Sequence, residues 1–277
     1  MGLDGKVVEV TGGSMGIGEA IAKEFVEAGA SAVISSRDAK RSEEARARIG
    51  HVERTLAVAC DVRKRADLEA LLKATLERFG RVDVWVNNAG YGLLDAVATM
   101  DVAECRRLFD TNLFGAIEGM QVVTPVLKAQ GSGTIINTSS VAGHIPVPYM
   151  AAYSATKQAL SAIGKAARVE LAGTGVHVMT VCPGYIGTSF GDNTVLGKER
   201  MRMNSAANAG TPAEEVARAV LHGYLKNKRE VVVPWKFWFV LRMYQLFPGI
   251  VESKMAKRLR PAEEVYAAAA AARKKQA

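Results

Sequence analysis

The sequence predicts a doubly wound α/β fold with a mainly parallel, seven-stranded sheet and helices on both faces. Short β-branched runs alternate with longer segments of helical periodicity along the 277 residues, and this alternation is typical of repeated strand–helix–strand units. Several predicted strands are apolar throughout, which indicates a sheet that helices cover on both sides. The length favours one large domain over two.

The predicted elements follow each other with little interruption. The first strand, Val7–Thr11, runs through a glycine-rich turn into the first helix, Gly16–Ala28. Further strands are predicted at β-branched or apolar runs: Ser31–Ser36, Thr55–Cys60, Val82–Asn87, Gly133–Ser139, Val176–Cys182 and Glu230–Pro234. Further helices are predicted at 3.6-residue periodicity: Ala39–Ile49, Arg63–Phe79, Val102–Ala129, Ala152–Gly173 and Pro212–Lys226.

The domain organisation follows from the point at which this rhythm ends. We assign residues 1–234 to a single α/β domain and residues 235–277 to an aromatic and basic C-terminal helical extension. Residues 189–211 are polar and punctuated by glycine between a strand and a helix. We expect them to form either a lid over a substrate or an ordinary long connection.

Composition and charge exclude several classes of function. Hydrophobic residues make up 49% of the chain, and no apolar run reaches the length of about 18 residues that a membrane-spanning helix needs. The net charge of +8 is concentrated in residues 226–260, which hold nine basic and two acidic side chains. Because the rest of the chain is nearly neutral, nucleic acid is not an expected partner.

The histidines and cysteines bear on metal binding and on location. The four histidines and three cysteines form no cluster with metal-ligand spacing, so no metal site is predicted. Cys60, Cys105 and Cys182 lie far apart in apolar surroundings and are expected to be reduced, buried thiols. With no visible secretory signal, this predicts a cytoplasmic protein.

The turn after the first strand has the composition of a phosphate-binding loop. Thr11 leads into Gly12-Gly13-Ser14-Met15-Gly16-Ile17-Gly18, and a helix pattern follows at once. Glycines let a phosphate approach the backbone, and the helix N-terminus then offers free N–H groups and a positive dipole end. The strand–turn–helix context favours nucleotide binding over an ordinary turn.

The end of the second strand indicates which nucleotide is bound. Folds that bind NAD(H) usually carry an acid there, which holds the ribose 2′-hydroxyl. This chain has Ser35-Ser36-Arg37 instead, and a guanidinium suits a 2′-phosphate. NADP(H) is therefore favoured over NAD(H), although Asp38 follows directly and Arg37 also fits an exposed loop cation.

Tyr153 and Lys157 are the candidate acid–base pair. They lie four residues apart in an alanine-rich predicted helix, and this spacing places both side chains on one face. An ammonium beside a phenol lowers the pKa of the phenol, and general acid–base work on an alcohol or carbonyl needs such a group. The spacing also fits an ordinary helix surface, so the pair depends on the other motifs.

Taken together and in order, these motifs resemble the short-chain dehydrogenases/reductases with a Tyr-x-x-x-Lys active site. The resemblance covers about residues 5–234 and implies a Rossmann-type fold. The motifs that carry it are Thr11-Gly12-x3-Gly16-x-Gly18, Asp61-Val62, Asn87-Asn88-Ala89-Gly90, Asn112, Ser140, Tyr153-x3-Lys157 and Pro183-Gly184-x-Ile186-x-Thr188.

The resemblance implies a cofactor site that spans most of these motifs. Asp61 and Val62 would contact the adenine, Asn88 to Gly90 would support the sheet and the cofactor, and Pro183 to Thr188 would wrap the nicotinamide. The full predicted set is Gly12, Ser14, Met15, Gly16, Ile17, Gly18, Ser36, Arg37, Asp61, Val62, Asn88, Ala89, Gly90, Tyr153, Lys157, Pro183, Gly184, Ile186 and Thr188.

The resemblance also implies four catalytic roles. Tyr153 would be the general acid/base, and Lys157 would lower its pKa and hold the nicotinamide ribose. Ser140 would hydrogen-bond the substrate oxygen, and Asn112 would bend its helix and anchor a water in a proton relay. Ser140 is chosen over Ser139 because the family's serine lies thirteen residues before the tyrosine.

The predicted substrate is a small-molecule carbonyl or alcohol. His144, Tyr149 and Tyr185, with Ser140 and Tyr153, would form the substrate pocket, and a lipid, steroid or ketoacyl type of apolar substrate is favoured. The alternative is a catalytically silent scaffold or sensor that only binds the cofactor. Such proteins usually lose the tyrosine or the lysine, whereas this chain keeps both. Family resemblance further implies a homodimer or homotetramer formed through helices near 102–129 and 152–173.

The extension after the last strand has no assigned role in the predicted cofactor site or among the predicted catalytic residues. Residues 235–248 hold two of the three tryptophans, and apolar side chains cover nearly the whole predicted helix circumference, which is unfavourable in water. Three interpretations of residues 235–260 stay open: packing on the core or a partner subunit, peripheral contact with a membrane, or one wall of a pocket for a large apolar substrate. Residues 262–277 are predicted to form an alanine-rich helix.

One residue departs from the pattern of the first strand. Glu9 lies where apolar residues are expected, and an unpaired buried carboxylate is costly. We expect it to be hydrogen-bonded or protonated, and we assign it no catalytic role.

Overall fold

The structure is a computed structural model that describes residues 2–197 and 210–257. Its strands, in chain order, are β1 (Val7–Thr11), β2 (Ser31–Ser36), β3 (Thr55–Ala59), β4 (Val84–Asn87), β5 (Leu93–Leu94), β6 (Gly133–Thr138), β7 (Val176–Pro183), β8 (Val195–Leu196) and β9 (Glu230–Val233). Its helices are α1 (Gly16–Glu27), α2 (Ala39–Ile49), α3 (Arg65–Phe79), α4 (Val102–Phe109), α5 (Gly115–Gln130), α6 (Ala151–Glu170), α7 (Ala213–Leu225) and α8 (Phe237–Leu246).

The predicted doubly wound parallel sheet is confirmed. Seven strands pair in parallel in the order β3-β2-β1-β4-β6-β7-β9. The chain moves outward from β1 to β3, then returns to β4 beside β1 and moves toward the other edge. The crevice outside the carboxyl ends of β1 and β4 is therefore the expected ligand site of the fold.

Helices bury both faces of the sheet, as the apolar strands predicted. On one face, Ile21 of α1 and Val216 of α7 pack with Val8 of β1 in a buried cluster. On the other face, Leu71 of α3 and Val123 of α5 pack in a second cluster around the central strands. Burying one such side chain stabilises the fold by roughly 1.5–3 kcal/mol, so the two clusters hold the carboxyl edge of the sheet in place.

The structure corrects the prediction of one continuous helix over Val102–Ala129. Helix α4 ends at Phe109, a π-helical turn runs from Asp110 to Phe114, and α5 begins at Gly115. Asn112, in the middle of this turn, is fully buried and forms hydrogen bonds outside its own helix. A π-turn inserts a residue into the helical ladder and is common at functional sites. The other predicted helices and strands between Val7 and Pro234 agree with the structure to within three residues at each end.

A second, two-stranded sheet was not predicted. Strand β5 pairs in parallel with β8, so that Leu93 lies opposite Val195 and Leu94 opposite Leu196. This pairing fastens part of the predicted 189–211 lid to the chain that follows β4. Residues 198–209 of that segment lie outside the described residues.

The C-terminal extension begins with α8 directly after β9. Residues 248–257 continue as helix, and the alanine-rich segment 262–277 lies outside the described residues. Across residues 2–197 and 210–257, no helix combines the length and the apolar character needed to cross a membrane.

Glu9 is buried in the middle of β1 between β2 and β4. Its Oε1 accepts a hydrogen bond from Ser35 Oγ at 3.0 Å, while Oε2 has no hydrogen-bond partner among the described residues. Burial raises the pKa of Glu9 well above its usual value, and the Ser35 hydrogen bond offsets only part of this effect. The side chain is therefore protonated in the folded protein at pH values where the unfolded chain is ionised.

We predict that Glu9→Gln increases the free energy of unfolding more at pH 8 than at pH 5. Because the folded-state pKa is raised, the wild-type protein loses stability as the pH rises above the unfolded-state pKa. That loss is about 1.4 kcal/mol for each pH unit up to the folded-state pKa. Chemical denaturation at pH 5 and pH 8 measures the change in the free energy of unfolding caused by Glu9→Gln. Glu53→Gln on the exposed surface is the control. An equal effect of Glu9→Gln at both pH values would contradict the account.

Candidate active site

The carboxyl ends of four neighbouring strands bring the predicted motifs together. The glycine turn follows β1, Asn88 follows β4, Ser139 and Ser140 follow β6, and Pro183 ends β7. Parallel strands place these ends along one edge of the sheet, so motifs that are far apart in sequence share one crevice. Helix α6 then crosses this edge with Tyr153 and Lys157.

The glycine turn has no room for a side chain at Gly12 or Gly18. Gly12 has φ 62°, and a Cβ there would lie 2.8 Å from Ala89 Cα. A Cβ on Gly18 would lie 2.4 Å from Gly12 O. Asn88 Nδ2 donates to the carbonyl oxygens of Thr11 and Gly12, each at 3.1 Å, and so fixes the turn.

The residues of this turn fit the phosphates of a dinucleotide. Within the part of the chain that the structure describes, no side-chain hydrogen bond caps α1 at its N-cap residue Met15, so its first N–H groups can meet an anion. Gly16 has φ 56°, and a Cβ there would lie 3.4 Å from Thr188 Cβ. The predicted nicotinamide segment thus closes against the phosphate turn.

Two charged residues, Arg37 and Asp38, follow the end of β2. Arg37 is exposed. The carboxylate of Asp38 accepts a hydrogen bond from Arg41 N at 3.2 Å and caps α2. Ser36 Oγ donates to Asp38 O at 2.9 Å, so it belongs to the same cap. Asp38 is therefore occupied as a helix cap, and Arg37 stays available at this edge.

The predicted adenine contacts lie next to that cation. Hydrogen bonds from Arg63 lower the pKa of Asp61, and the charge of Arg37 adds to this effect against the opposing effect of burial. Val62 is buried, and a Cβ on Gly115 of α5 would lie 2.8 Å from its Cγ2. The close approach of α5 thus holds Val62 at the edge of the sheet.

Tyr153 and Lys157 are both buried on the inward face of α6, with exposed fractions of 9% and 4%. Lys157 Nζ lies 5.7 Å from the Tyr153 ring centroid and donates to Thr138 O at 2.7 Å. The two side chains share one turn of the helix, as the spacing predicted.

The net pKa of Tyr153 in this structure is raised rather than lowered, and burial is the main cause. Burial raises the pKa of Tyr153 to about 12, and a hydrogen bond with Ser140 offsets this only in part. Burial also lowers the pKa of Lys157 to about 8, against a small opposing effect of Cys182. Desolvation disfavours the charged form of each group, the phenolate of Tyr153 and the ammonium of Lys157. Tyr153 is therefore a neutral phenol that can donate a proton.

The two serines after β6 have different surroundings, which agree with the choice of Ser140. Ser139 Oγ donates to Lys157 O at 2.8 Å and shares a hydrogen bond with Ser161 Oγ at 2.7 Å, so it is bound to α6. Ser140 Oγ donates to Pro183 O at 3.2 Å and accepts from Ala142 N at 3.1 Å, and it lies close enough to Tyr153 to lower the pKa of the phenol. Ser140 is therefore the serine beside the phenol, whereas Ser139 anchors the helix that carries it.

Asn112 connects the π-turn to the site. Its Oδ1 accepts from Tyr91 N at 3.0 Å, and its Nδ2 donates to Tyr91 O at 2.9 Å and to Thr156 Oγ1 at 3.4 Å. A Cβ on Gly90 would lie 3.0 Å from Asn112 Oδ1 and 3.5 Å from Lys157 Nζ. Asn112 thus lies close to the lysine and joins the segment after β4 to α6.

The three predicted pocket walls differ in placement. His144 Nε2 lies 3.4 Å from Cys182 Sγ and 3.8 Å from Glu230 Oε1, contacts toward β7 and β9 that give no support to a role in the substrate pocket. Tyr185 is 47% exposed. Tyr149 has a φ of 62°, and its carbonyl accepts a hydrogen bond from Asp95 N at 2.8 Å.

The segment after β7 covers the tyrosine. Phe190 packs edge-on against Tyr153, with ring centroids 5.6 Å apart. Asn193 Nδ2 lies 3.3 Å from Met15 Sδ, across the glycine turn. Further along, Val195 belongs to the apolar cluster that contains Tyr153. Phe190 and Val195 thus place two apolar side chains of this segment beside Tyr153.

Four contributors to the site escaped sequence reasoning. Lys157 is held by the backbone carbonyl of Thr138, and Asn112 by the backbone of Tyr91, and neither contact has a side-chain signature. Thr156 lies inside the Tyr153–Lys157 stretch, where its polarity was a usable signal. Phe190 lies in the predicted lid, but the sequence does not show which lid residue reaches the tyrosine.

Comparisons with known proteins agree with this arrangement. Residues 6–198 match the family model described as short chain dehydrogenase. The chain is 38% identical over 211 residues to an NADP-dependent (R)-specific alcohol dehydrogenase of Lentilactobacillus kefiri, covering 75% of this chain and 84% of that protein. It is 35% identical over 236 residues to the ketoacyl reductase HetN of Nostoc sp. strain PCC 7120, covering 83% of this chain and 79% of that protein.

A solved structure extends the likeness to three dimensions. The crystal structure of a 3-ketoacyl-(acyl-carrier-protein) reductase from Brucella melitensis complexed with NADH superposes with a TM-score of 0.72 at 29% identity. The likeness covers 83% of this chain and 97% of that one. The family model and the similar proteins agree with the sheet order and the glycine turn. The chain therefore belongs to the short-chain dehydrogenase family of oxidoreductases.

Proposed function

We propose that the protein is an NADP(H)-dependent oxidoreductase that interconverts a carbonyl and a secondary alcohol on an apolar substrate, with Tyr153 as general acid/base. The observation that carries the proposal is the burial of Tyr153 and Lys157 on one turn of α6, with Ser140 close enough to affect the pKa of the phenol. These groups stand at the sheet edge where the glycine turn also opens. Proton donor, oxygen-binding hydroxyl and dinucleotide site thus share one crevice.

The proton chemistry follows from the burial of Tyr153. NADPH, when bound, supplies a hydride to the carbonyl carbon, and NADP⁺ accepts one in the reverse direction. As negative charge builds on the carbonyl oxygen, the neutral phenol of Tyr153 donates its proton to that oxygen. The hydroxyl of Ser140 rotates from the Pro183 carbonyl, which it contacts at 3.2 Å, toward the same oxygen.

Lys157 and Asn112 keep this arrangement in place. The ammonium of Lys157 is fixed by Thr138 O, and Asn112 fixes the adjoining chain through Tyr91. In the proposed cycle, the Lys157 ammonium faces the phenolate left by proton donation and stabilises it. Asn112 is the start of the relay that returns the proton.

Three observations support NADP(H) over NAD(H). Arg37 is exposed at the carboxyl end of β2, and the neighbouring Asp38 carboxylate is occupied as the cap of α2. The relative from Lentilactobacillus kefiri is named as NADP-dependent. A guanidinium at this position binds a 2′-phosphate by charge-assisted hydrogen bonds, although the related Brucella melitensis structure holds NADH.

The apolar substrate is proposed from the surroundings of Tyr153. Its cluster contains buried Leu93, Leu108, Ala142 and Ala152, and Phe190 packs on its ring. Surroundings of this composition favour ligands with apolar groups. Beside Tyr153, such groups would replace the contacts that Phe190 now makes.

The proposal includes an oligomer and a location. Phe114, in the π-turn between α4 and α5, is 51% exposed, which supports a homodimer or homotetramer formed through the helices near 102–129 and 152–173. Cys60, Cys105 and Cys182 are free thiols, which supports the proposed cytoplasmic location. Residues 1–234 form the proposed catalytic domain, and residues 235–260 of the extension add a peripheral membrane contact.

We predict that Tyr153→Phe lowers kcat by about 10²–10⁴-fold, because it removes the proton donor while keeping the ring that packs on Phe190. NADPH absorbance in a carbonyl substrate screen measures turnover, and NADPH fluorescence measures binding, which we expect to stay nearly unchanged. Tyr224→Phe is the control, because Tyr224 packs on Phe25 of α1 and not on the Tyr153 ring. Unchanged turnover in Tyr153→Phe would refute the mechanism and favour a cofactor-binding scaffold.

We predict that Arg37→Asp weakens NADPH binding by about tenfold to a hundredfold, because a carboxylate repels the 2′-phosphate that the guanidinium binds. NADH binding should improve relative to NADPH, and fluorescence titration with both cofactors gives the ratio. Lys73→Asp on α3 makes the same charge change at an exposed site and controls for net charge. An unaltered ratio for Arg37→Asp is the result that contradicts the NADP(H) preference.

We predict that Phe190→Ala reduces the preference for apolar ketones over small ones. The ratio of kcat/KM for a long-chain ketone to that for a small ketone should fall by about tenfold, since one aromatic contact is lost. Phe190→Leu retains an apolar side chain and should keep most of the ratio. If both variants show the wild-type ratio, Phe190 does not contact the substrate.

A further inference from the structure

An exposed aromatic face lies on α8 and the chain beside it. Leu241 is the buried residue of this helix, and most of the other apolar side chains point outward. We call the following group the aromatic face; its members are between 43% and 70% exposed: Trp235, Trp238, Phe239, Met243, Leu246, Phe247 and Ile250. Exposed apolar groups this close together mark an interaction site rather than an ordinary surface.

The orientation of the aromatic face is set by contacts on the inner side of α8. A Cβ on Gly184 would lie 2.5 Å from Phe237 Cε2, so Phe237 packs directly on the chain that follows β7. Leu241, one turn later, is 5% exposed. Because Phe237 and Leu241 fasten one stripe of the helix, the opposite stripe faces away from the domain.

Cations are interspersed with the exposed aromatic rings. Lys236, Arg242, Lys254 and Lys257 are all exposed, and the Arg242 guanidinium lies 4.9 Å from the Trp238 ring centroid. Glu252, the single acidic residue of 235–257, accepts a hydrogen bond from Tyr244 Oη at 3.2 Å. The surface is thus apolar, aromatic and positively charged at the same time.

We propose that the aromatic face docks peripherally on a lipid bilayer that contains anionic phospholipids. Trp side chains with neighbouring Lys and Arg are favoured at the interface between headgroups and acyl chains. Each cation near an anionic leaflet strengthens binding. In this arrangement α8 lies in the plane of the interface.

Charge complementarity favours the bilayer over a second copy of the chain. A two-fold interface would place the aromatic faces of two protomers against each other, and the four cations of each would then repel those of the other. The core of a protein–protein interface is also depleted in lysine. An anionic bilayer accommodates the apolar side chains at its acyl chains and attracts the cations with its headgroups.

The contact between Phe237 and Gly184 links this surface to the active site. Gly184 follows Pro183, whose carbonyl accepts the Ser140 hydrogen bond. The helix that carries the aromatic face therefore packs on the chain between β7 and the segment that covers Tyr153. Resting on the function proposed above, we infer that the substrate is an apolar carbonyl or alcohol dissolved in the bilayer.

Cosedimentation of the full-length protein with vesicles tests the docking without any need for activity. We expect binding to phosphatidylcholine vesicles that contain phosphatidylglycerol, and much weaker binding to pure phosphatidylcholine. Trp238→Ser with Phe239→Ser should weaken binding to the anionic vesicles at least about tenfold. Lys236→Gln and Arg242→Gln should weaken it about fivefold each.

The control variant is Val52→Ser, an exposed apolar residue that precedes β3 at the opposite edge of the sheet. It should bind vesicles like the wild-type protein, and circular dichroism checks that all variants fold. Equal partition of wild type and the Trp238/Phe239 variant would overturn the proposal. Sedimentation velocity gives the oligomer mass of the same variant. A lower mass with unchanged vesicle binding would also overturn the proposal, because the aromatic face would then join two copies of the chain.

Turnover separates this inference from the function on which it rests. With a water-soluble ketone and no vesicles, the Trp238/Phe239 variant should reduce substrate at the wild-type rate. Loss of vesicle binding alone therefore concerns the docking surface. Absence of NADPH oxidation in the wild-type protein, with vesicle binding intact, would refute the proposed chemistry and leave the docking in place.

Discussion

The attachment of α6 to the end of β6 is the constraint on which the site depends. Lys157 is bound at both ends, since its Nζ donates to Thr138 O at 2.7 Å and its carbonyl accepts from Ser139 Oγ at 2.8 Å. A Cβ on Gly143 would lie 2.8 Å from the same carbonyl oxygen, so the helix packs closely on the chain after β6. These contacts set the height and rotation of the helix, and thereby the place of Tyr153.

Burial of that helix face has a chemical consequence. Tyr153 and Lys157 are desolvated together, which moves the pKa of the phenol up and that of the ammonium down. Both shifts disfavour the charged forms, so the free protein holds a neutral phenol ready to donate. The covering segment at Phe190 contributes to this burial through its contact with the phenol ring.

Much of the fold could be predicted from the sequence because its signals are local. Apolar strands, helical periodicity and the glycine turn each reflect a few neighbouring residues, and their order gave the parallel sheet. The order of motifs also gave Ser140, Tyr153 and Lys157 as one site. The bend of the helix at Asn112 was implied by the family resemblance but not by any local pattern, because it depends on Asn112 bonding to the backbone of Tyr91, which is distant in sequence.

The net pKa of Tyr153 could not be predicted from the sequence for a related reason. Spacing shows that Lys157 is near Tyr153, but the pKa of each group depends on how much water surrounds it, and that is a property of the packed structure. The surroundings of His144 are likewise a property of the packed structure, since its neighbours Cys182 and Glu230 come from other parts of the chain. Sequence reasoning therefore identifies the chemical groups better than it predicts their ionisation.

Ultraviolet difference titration of the free protein tests the central claim, that Tyr153 is a neutral proton donor, most directly. Subtracting the spectrum of Tyr153→Phe from that of the wild-type protein isolates the phenolate absorbance of this one residue. The account predicts that this absorbance appears only above the ordinary tyrosine pKa of about 10, in line with a pKa raised to about 12. A phenolate signal at neutral pH would contradict it, and would mean that Lys157 dominates over burial.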